Sequence, residues 1–404
     1  MIPVEQALEY VLATARPRPP EEVSLADAVG RVLQEALVAD RDFPSGHRAT
    51  MDGIALSYAS WAKGCRSFPI QEMQVAGAPP VKLRDAAACI EIMTGAMLDN
   101  SADTVIRYED LHIEAQGGQR IAHVQTEAIR DRQNVQRRAS DSRAGDLLLT
   151  PGALVGASEI GIAASVGKAR LLVAGTPRIA VISTGDELVD VADTPLPYQI
   201  RRSNSYSLQA ALREMHILSA DLYHLPDARE LIYQELKRLL QSYDTLILSG
   251  GVSMGKADFI PEVLADLGLT CLFHKVAQRP GKPLWFGVQG EKTVFGLPGN
   301  PVSTFVSFHR YIKPWLLKCL NQAERPLPLA VLGADVAFAP ALTYFMQVSV
   351  RSDAQGRLLA TPEQGHGSGD HGNLLRCDGF LQLPPGPARF AAGEVFPLLL
   401  YRGM

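Results

Sequence analysis

DTLILSGGVSMGKADF, residues 244–259, decides how the rest of the chain is read. Leu246 to Leu248 form an unbroken apolar run that stops at Ser249 and two glycines. A short run bounded by turn residues fits a strand buried on both faces, as in a parallel sheet covered by helices. The residues that follow have phosphate-loop spacing: Gly250, four residues, Gly255, Lys256. A Walker A loop next needs Ser or Thr to hold Mg²⁺, and position 257 is Ala. The nucleotide-hydrolysis reading therefore fails at its last residue. What remains is a glycine-rich turn whose backbone N–H groups can approach an anion with no Cβ in the way.

Outward from this strand the pattern is regular. RIAVIST (178–184) reads as a strand and SNSYSLQAALREM as a helix, with Leu208, Ala211, Leu212 and Met215 at helical spacing. HILSADLYHL contains a strand. DARELIYQELKRLLQSY is a helix with Leu231, Ile232, Leu236, Leu239 and Leu240 inward. A helix near FIPEVLADLG follows, then strands around CLFHKVA, PLWFGV and KTVFGL, and a helix from Val302. Strands alternating with helices predict a parallel sheet with right-handed crossovers.

The flanks differ in texture. The opening places Val4, Ala7, Leu8, Val11 and Leu12 on one helical face, PRPP (17–20) breaks it, and SLADAVGRVLQEAL predicts a second helix capped by Ser24. Residues 40 to 145 are short apolar runs between turns and predict a mostly β insertion. Five arginines between Arg130 and Arg143 read as a solvated return linker. Pro326 and Pro328 mark a linker before an alternating tail (FMQVSVR, FLQLPPG), which predicts a small β domain. Its GHGSGDHGN (365–373) is a flexible or ligand-facing loop.

A chain of 404 residues, 47% hydrophobic and 20% charged, can bury several cores. With a net charge of -4 it has no general attraction for nucleic acid or anionic membranes, so an anion site must be local. No apolar run reaches a membrane span, and the start lacks a secretory pattern. The five scattered cysteines lack CxxC spacing and fit reduced thiols in the cytoplasm.

Three polar loops each follow a predicted strand: STGDEL (183–188), SGGVSMG (249–255) and GLPGNPVS (296–303). In an open parallel sheet such loops converge on one edge, where ligands bind. Pro301 and Val302 enter a helix whose free N–H groups attract negative charge. Lys275, Arg279 and Lys282, stiffened by Pro280 and Pro283, fit an oxyanion. Asp186, Glu187, Asp227 and Asp258 add carboxylates, which beside phosphates suggest Mg²⁺. Asp227 and Asp258 read equally as helix N-caps.

Together these motifs resemble the molybdopterin molybdenumtransferases, MoeA and the E domain of gephyrin. The resemblance runs along nearly the whole chain: TMDGIAL (50–56), IMTGAMLDNSADTVI (92–106), RQNVQRR (132–138), STGDEL, SN (203–204), SGGVSMGKADF, KVAQRPGKP, GLPGNPVSTF and HGSG (366–369). It implies an elongated, cytoplasmic homodimer. Its parts would be a linking domain (1–39 with 138–175), a mostly β insertion domain (40–137), a MogA-like α/β domain with a parallel-rich sheet (176–324) and a C-terminal β domain (325–404). The implied reaction inserts molybdate into adenylylated molybdopterin, with Mg²⁺, and releases AMP.

The implied catalytic residues are Asp52, Asp141, Glu187, Asp227, Asp258 and Lys275, with Asp52 and Asp141 reaching the partner's cleft. Gly250, Gly251, Ser253, Gly255, Pro298, Gly299 and Asn300 would hold the pterin and phosphates. Arg279, Lys282, Ser303 and Ser368 would line the molybdate pocket, and Asp186, Glu187 and Asp227 would hold the metal. Implied partners are a molybdopterin adenylyltransferase and a molybdoenzyme or its chaperone, with no nucleic acid and no membrane.

The chain departs from the family pattern at four places. Arg279 stands for a lysine, Gln347 for an arginine, Arg202 for an acidic residue, and His47-Arg48 for Asp-Asn. The alternative these departures suggest is a paralogue that binds or delivers the cofactor without efficient turnover.

Overall fold

The computed structural model describes residues 1–252, 258–323 and 326–402. Ser253, Gly255, Lys256 and Ala257, on which part of the glycine-loop reading rests, lie outside the described residues. The chain divides into two compact units. One comprises Met1–Gln34, Pro151–Gly156 and Arg170–Met404, the other Glu35–Thr150 and Ala157–Ala169.

The larger unit is built on the α/β segment. Its elements are β1 (Ile179–Thr184), α1 (Ser203–Glu214), β2 (Ala220–Leu225), α2 (Arg229–Ser242), β3 (Thr245–Ser249), α3 (Ile260–Asp266), β4 (Thr270–His274), β5 (Trp285–Gln289), β6 (Lys292–Leu297), α4 (Pro301–Ser307) and α5 (Lys313–Cys319). The sheet order is β2-β1-β3-β6-β5-β4. The first four strands are parallel, whereas β5 and β4 run antiparallel to their neighbours. The expectation of a parallel sheet thus holds for its centre and fails at one edge. Only Gly290 and Glu291 separate β5 from β6, too short a link for a crossover, and Gly290 supplies the positive φ of a tight hairpin.

Strand alternation sorts the core. Ile179 and Val181 of β1 and Ile247 of β3 pack with Leu208, Leu212, Val302 and Val306 of α1 and α4. Ala180, Ile182, Leu246 and Leu248 pack on the other face with Ile232, Leu236 and Leu239 of α2 and Val263 and Leu264 of α3. Both faces are covered, which is why these strands read as continuous apolar runs. Each fully buried aliphatic side chain here contributes roughly 1.5–3 kcal/mol. Between α4 and α5 the chain takes one π-helical turn, Phe308–Ile312.

Three sequence expectations need correction. Leu231 of α2 is 54% exposed, one position off the buried stripe. PRPP does more than break the first helix (Val4–Ala13): Pro19 and Pro20 sit in the strand Arg18–Ser24, where its pairing with Arg170–Gly175 shifts register. The helix predicted from Ser24 is one turn, Leu25–Ala28, with Ser24 accepting from the Asp27 amide as its cap. It stops because Gly30 adopts φ +77° under the His216 ring, after which Val32 and Leu33 are buried by bridging Leu154 and Val173. Their apolar character serves β bridges, not a helix face.

The tail forms a small barrel. The strands run in the order Thr343–Ser352, Leu358–Pro362, Leu329–Leu332, Val395–Leu400, Gly379–Leu383, and the last pairs back with the first. A two-residue strand from the α/β segment, Gln278–Arg279, joins in parallel beside Thr343 and Tyr344.

The smaller unit is mostly β. Its six-stranded sheet has the order Thr104–Arg107, Gly53–Leu56, Cys89–Ile92, Ser67–Gln74, Gln119–Val124, Leu111–Gln116. The five arginines of 130–143 are exposed, and Val135–Gln136 pairs with Arg48–Ala49. Among the described residues no helix is long and apolar enough to cross a membrane.

Candidate functional site

β1, β3 and β6 are parallel neighbours, so the loops that follow them leave the same edge of the sheet. The turn before β5 reaches this edge too, because Trp285 pairs with Gly296 near the end of β6. The predicted convergence of the three polar loops is therefore present for their described residues.

Asn204, at the start of α1, ties the loops together. Its Nδ2 donates to Ser249 Oγ (2.9 Å) and to the Gly299 carbonyl (2.7 Å). Gly250, at φ +102°, lies so close to Thr184 that a Cβ would stand 2.6 Å from the Thr184 carbonyl oxygen. Its amide donates to Leu297 O. Sequence reasoning placed Asn204 in a motif without giving it a task; a polar residue in the first turn of a buried helix was the available signal.

Below the end of β6 lies a cavity of about 690 Å³. Arg279, Lys282, Ser303 and Ser368, the four residues predicted for the oxyanion, all line it, together with Pro298 and Asn300. Sequence reasoning missed Gln278, Tyr344, Glu363 and His366 on the same walls. Asn300 Nδ2 donates to Ser368 Oγ (2.9 Å), which anchors the GHGSG loop to this edge. The Val302 amide donates to Ser368 O. This corrects the expectation of a free helix N-terminus: Pro301 has no N–H, and that of Val302 is already engaged by the loop. Gln347 also faces the cavity, and its Nε2 is buried without a partner. Lys275 is not among the lining residues; it begins the basic turn, at φ +81°, with its amide on Leu284 O. Arg202 pairs with Asp190.

The carboxylates gather at the opposite end of the edge, after β1 and β2. Asp186 Oδ1 accepts the Asp227 amide at 3.0 Å. The Glu187 carboxylate folds over Gly185, where any Cβ would lie 2.5 Å from it. Burial raises the pKa of Asp227, and the charges of Asp186, Glu187 and Asp258 raise it further. The caps of α2 and α3 are Ala228 and Phe259, so neither Asp227 nor Asp258 sits at the N-cap position. Among the described residues no three His, Cys, Asp or Glu side chains are gathered closely enough to hold a metal by themselves.

Asp52 and Asp141 belong to the smaller unit. Asp52 accepts from the Thr94 hydroxyl (2.7 Å) and amide (2.6 Å), which hold its carboxyl below the usual range. Asp141 accepts from Gln136 Nε2, 3.1 Å to each oxygen, and from Ser140 Oγ. His47 Nδ1 accepts the Arg138 amide at 3.3 Å.

The comparisons with known proteins agree along the whole chain. The MoeA N-terminal region (domain I and II) matches residues 2–167, a probable molybdopterin binding domain matches 180–318, and the MoeA C-terminal region (domain IV) matches 330–401. The molybdopterin molybdenumtransferase of Synechocystis sp. is 39% identical, covering 98% of this chain and 99% of its own. That of Bacillus subtilis is 30% identical over 99% and 94%. The solved molybdopterin biosynthesis MoeA protein of Pyrococcus horikoshii superposes with a TM-score of 0.82 at 28% identity, covering 100% of both chains. The chain belongs to the molybdopterin molybdenumtransferase (MoeA) family.

Proposed function

We propose that the protein inserts molybdate into adenylylated molybdopterin and releases AMP. The observation that carries this reading is the cavity in which Arg279, Lys282, Ser303 and Ser368 meet. Two cations and two hydroxyls on one wall set suit a tetrahedral dianion, and donors fixed in advance need no reorganisation when the ligand arrives. Along the same sheet edge, Gly250, Gly251, Pro298, Gly299 and Asn300 offer a surface for the pterin and phosphates. Ser253 and Gly255 complete that assignment from the sequence.

The carboxylates fit Mg²⁺ on the structure's own terms. A carboxylate such as Asp227, whose pKa is raised by burial and by its acidic neighbours, gains from a divalent cation. Mg²⁺ commonly takes one or two carboxylates and completes its shell with substrate phosphates and water, so three converged protein ligands are not required. Asp186, Glu187 and Asp227 would hold it, and bound there it would neutralise charge developing as the link to AMP breaks. Asp227, its pKa raised by burial and by the neighbouring carboxylates, holds its proton more readily than an exposed carboxylate does. Asp258 would bind the pterin end and Lys275 would support the basic turn. A homodimer belongs to this proposal, with Asp52 and Asp141 supplied by the second copy. So do an adenylyltransferase supplying the substrate and a molybdoenzyme or chaperone receiving the product.

The test is a single assay with purified protein, adenylylated molybdopterin, Mg²⁺ and molybdate. AMP release that rises with molybdate is the expected result. Binding of both ligands without AMP release overturns the transferase reading in favour of a carrier.

A further inference from the structure

The cationic turn rests on a residue that nothing above assigns. Gln278 is fully buried, and a buried carboxamide is tolerated only when its polar atoms are paired. Its Oε1 accepts from the Tyr311 hydroxyl, itself fully buried on the π-helical turn. Its Nε2 donates to the Pro280 carbonyl at 3.0 Å, inside the turn that carries Arg279 and Lys282. The turn is closed by the Val276 amide on Lys282 O at 3.0 Å. A Cβ on Gly281, at φ +87°, would stand 2.8 Å from Gln278 Nε2 and 3.1 Å from Ser307 Oγ. The carboxamide therefore fills the inside of the turn and fixes its depth against α4 and the π turn.

We propose that Gln278, clamped by Tyr311, is the positioning residue of the anion pocket: it holds the Arg279–Lys282 turn in the shape that presents both cations to a tetrahedral oxyanion. This rests on the molybdate reading above. An apolar residue of the same length fills the space but bonds neither the Pro280 carbonyl nor the Tyr311 hydroxyl, so it leaves the turn free to shift. Placement within about half an ångström matters for a site whose donors must meet one ligand together. The π-helical turn fits the same role, since such turns in a helix often accompany functional positions.

The experiment uses the full chain and two variants, Gln278→Met and Tyr311→Phe, with molybdate binding followed by calorimetry and hydrogen exchange followed over residues 276–284. Each variant is expected to weaken molybdate binding about tenfold, the loss typical of one buried hydrogen bond left unmade, and to speed exchange in that segment alone. Affinity for adenylylated molybdopterin stays within twofold, and the double variant is no worse than the weaker single one, because the two residues act as one clamp. Unchanged exchange together with unchanged molybdate affinity in both variants overturns the proposal. Equal loss for both ligands overturns it too, since that marks a general packing defect. If Gln278→Met does not fold, Tyr311→Phe, which keeps the ring, decides alone. If the wild-type protein binds no molybdate, the functional reading falls by itself, and the exchange of the turn still decides whether Gln278 holds it.

Discussion

The two ends of one sheet edge are built on opposite plans. After β1 and β2 stand Asp186, Glu187 and Asp227; burial raises the pKa of Asp227, and the charges of the other two raise it further. Before β5 stand Arg279 and Lys282, on a turn held by hydrogen bonds that use backbone and carboxamide, and both line the cavity. The acidic end stores electrostatic stress that a cation relieves. The basic end is settled without a ligand and offers its charge to an anion. A substrate carrying phosphates and a metal oxyanion needs both, and the mixed sheet supplies them. Parallel strands deliver the carboxylate loops, and the antiparallel hairpin at β5 and β6 returns the basic turn to the same edge.

The comparison breaks most severely at Lys282. Its carbonyl anchors both the Val276 and Leu284 amides, so Lys282→Ala removes the charge and keeps the turn. AMP release at limiting molybdate is expected to fall about 10²- to 10³-fold, the scale for one donor lost from a fixed anion site. A loss below threefold would show that the cavity is not where the anion reacts.

At the acidic end, Asp227→Asn should do the reverse to stability. The folded pKa of Asp227 lies above its unfolded value, so the native state holds that proton more tightly. Ionisation then costs stability as pH rises through the unfolded value, about 3.9, toward the folded one, and the full cost is present above both. Removing the charge should raise Tm by roughly 1–2 °C at neutral pH, and by nothing well below about pH 4. The same change should raise the Mg²⁺ half-saturation for AMP release several-fold, because one carboxylate ligand of the ion is lost. A thermal shift by Mg²⁺ that is identical in variant and wild type would remove Asp227 from the metal.

Much of this is legible in the sequence. β1 and β3 announce themselves because helices cover both their faces, so residues 179–182 and 246–248 are unbroken apolar runs and no alternation confuses the period. Of the four lining residues, Arg279 and Lys282 were legible as cations on a Pro-Gly turn, whereas Ser303 and Ser368 were legible only through family resemblance, since nothing local marks Ser368 as a neighbour of Asn300, 68 positions away. The illegible parts share one cause. Where tertiary packing overrides local pattern, periodicity misleads: Val32 and Leu33 suit a helix face and are buried instead by bridges to distant strands. Asn204 and Gln278 were missed because their value lies in partners on other elements. The free helix N-terminus at Pro301 was misread because the Val302 amide's partner, Ser368, lies in a loop of the C-terminal segment.

The finest test of the basic end is Gln347→Arg. Gln347 lies on the barrel strand Thr343–Ser352, faces the cavity, and has a buried Nε2 without a partner, so the wall already aims a donor there. A guanidinium supplies the charge that the family pattern has at this position and can bond an oxyanion through two N–H groups. Against this stands Glu363, on the same wall, whose amide donates to Gln347 O. Its carboxylate competes with the anion for the new cation, which limits the gain. Molybdate affinity measured by calorimetry should therefore rise about three- to tenfold, less than Lys282→Ala loses, because a screened charge added near a rival carboxylate yields less than a direct one removed. Gln347→Arg combined with Glu363→Gln should exceed Gln347→Arg alone. Unchanged affinity in both would place position 347 outside the reach of the anion and leave Arg279 and Lys282 as the cations that hold it.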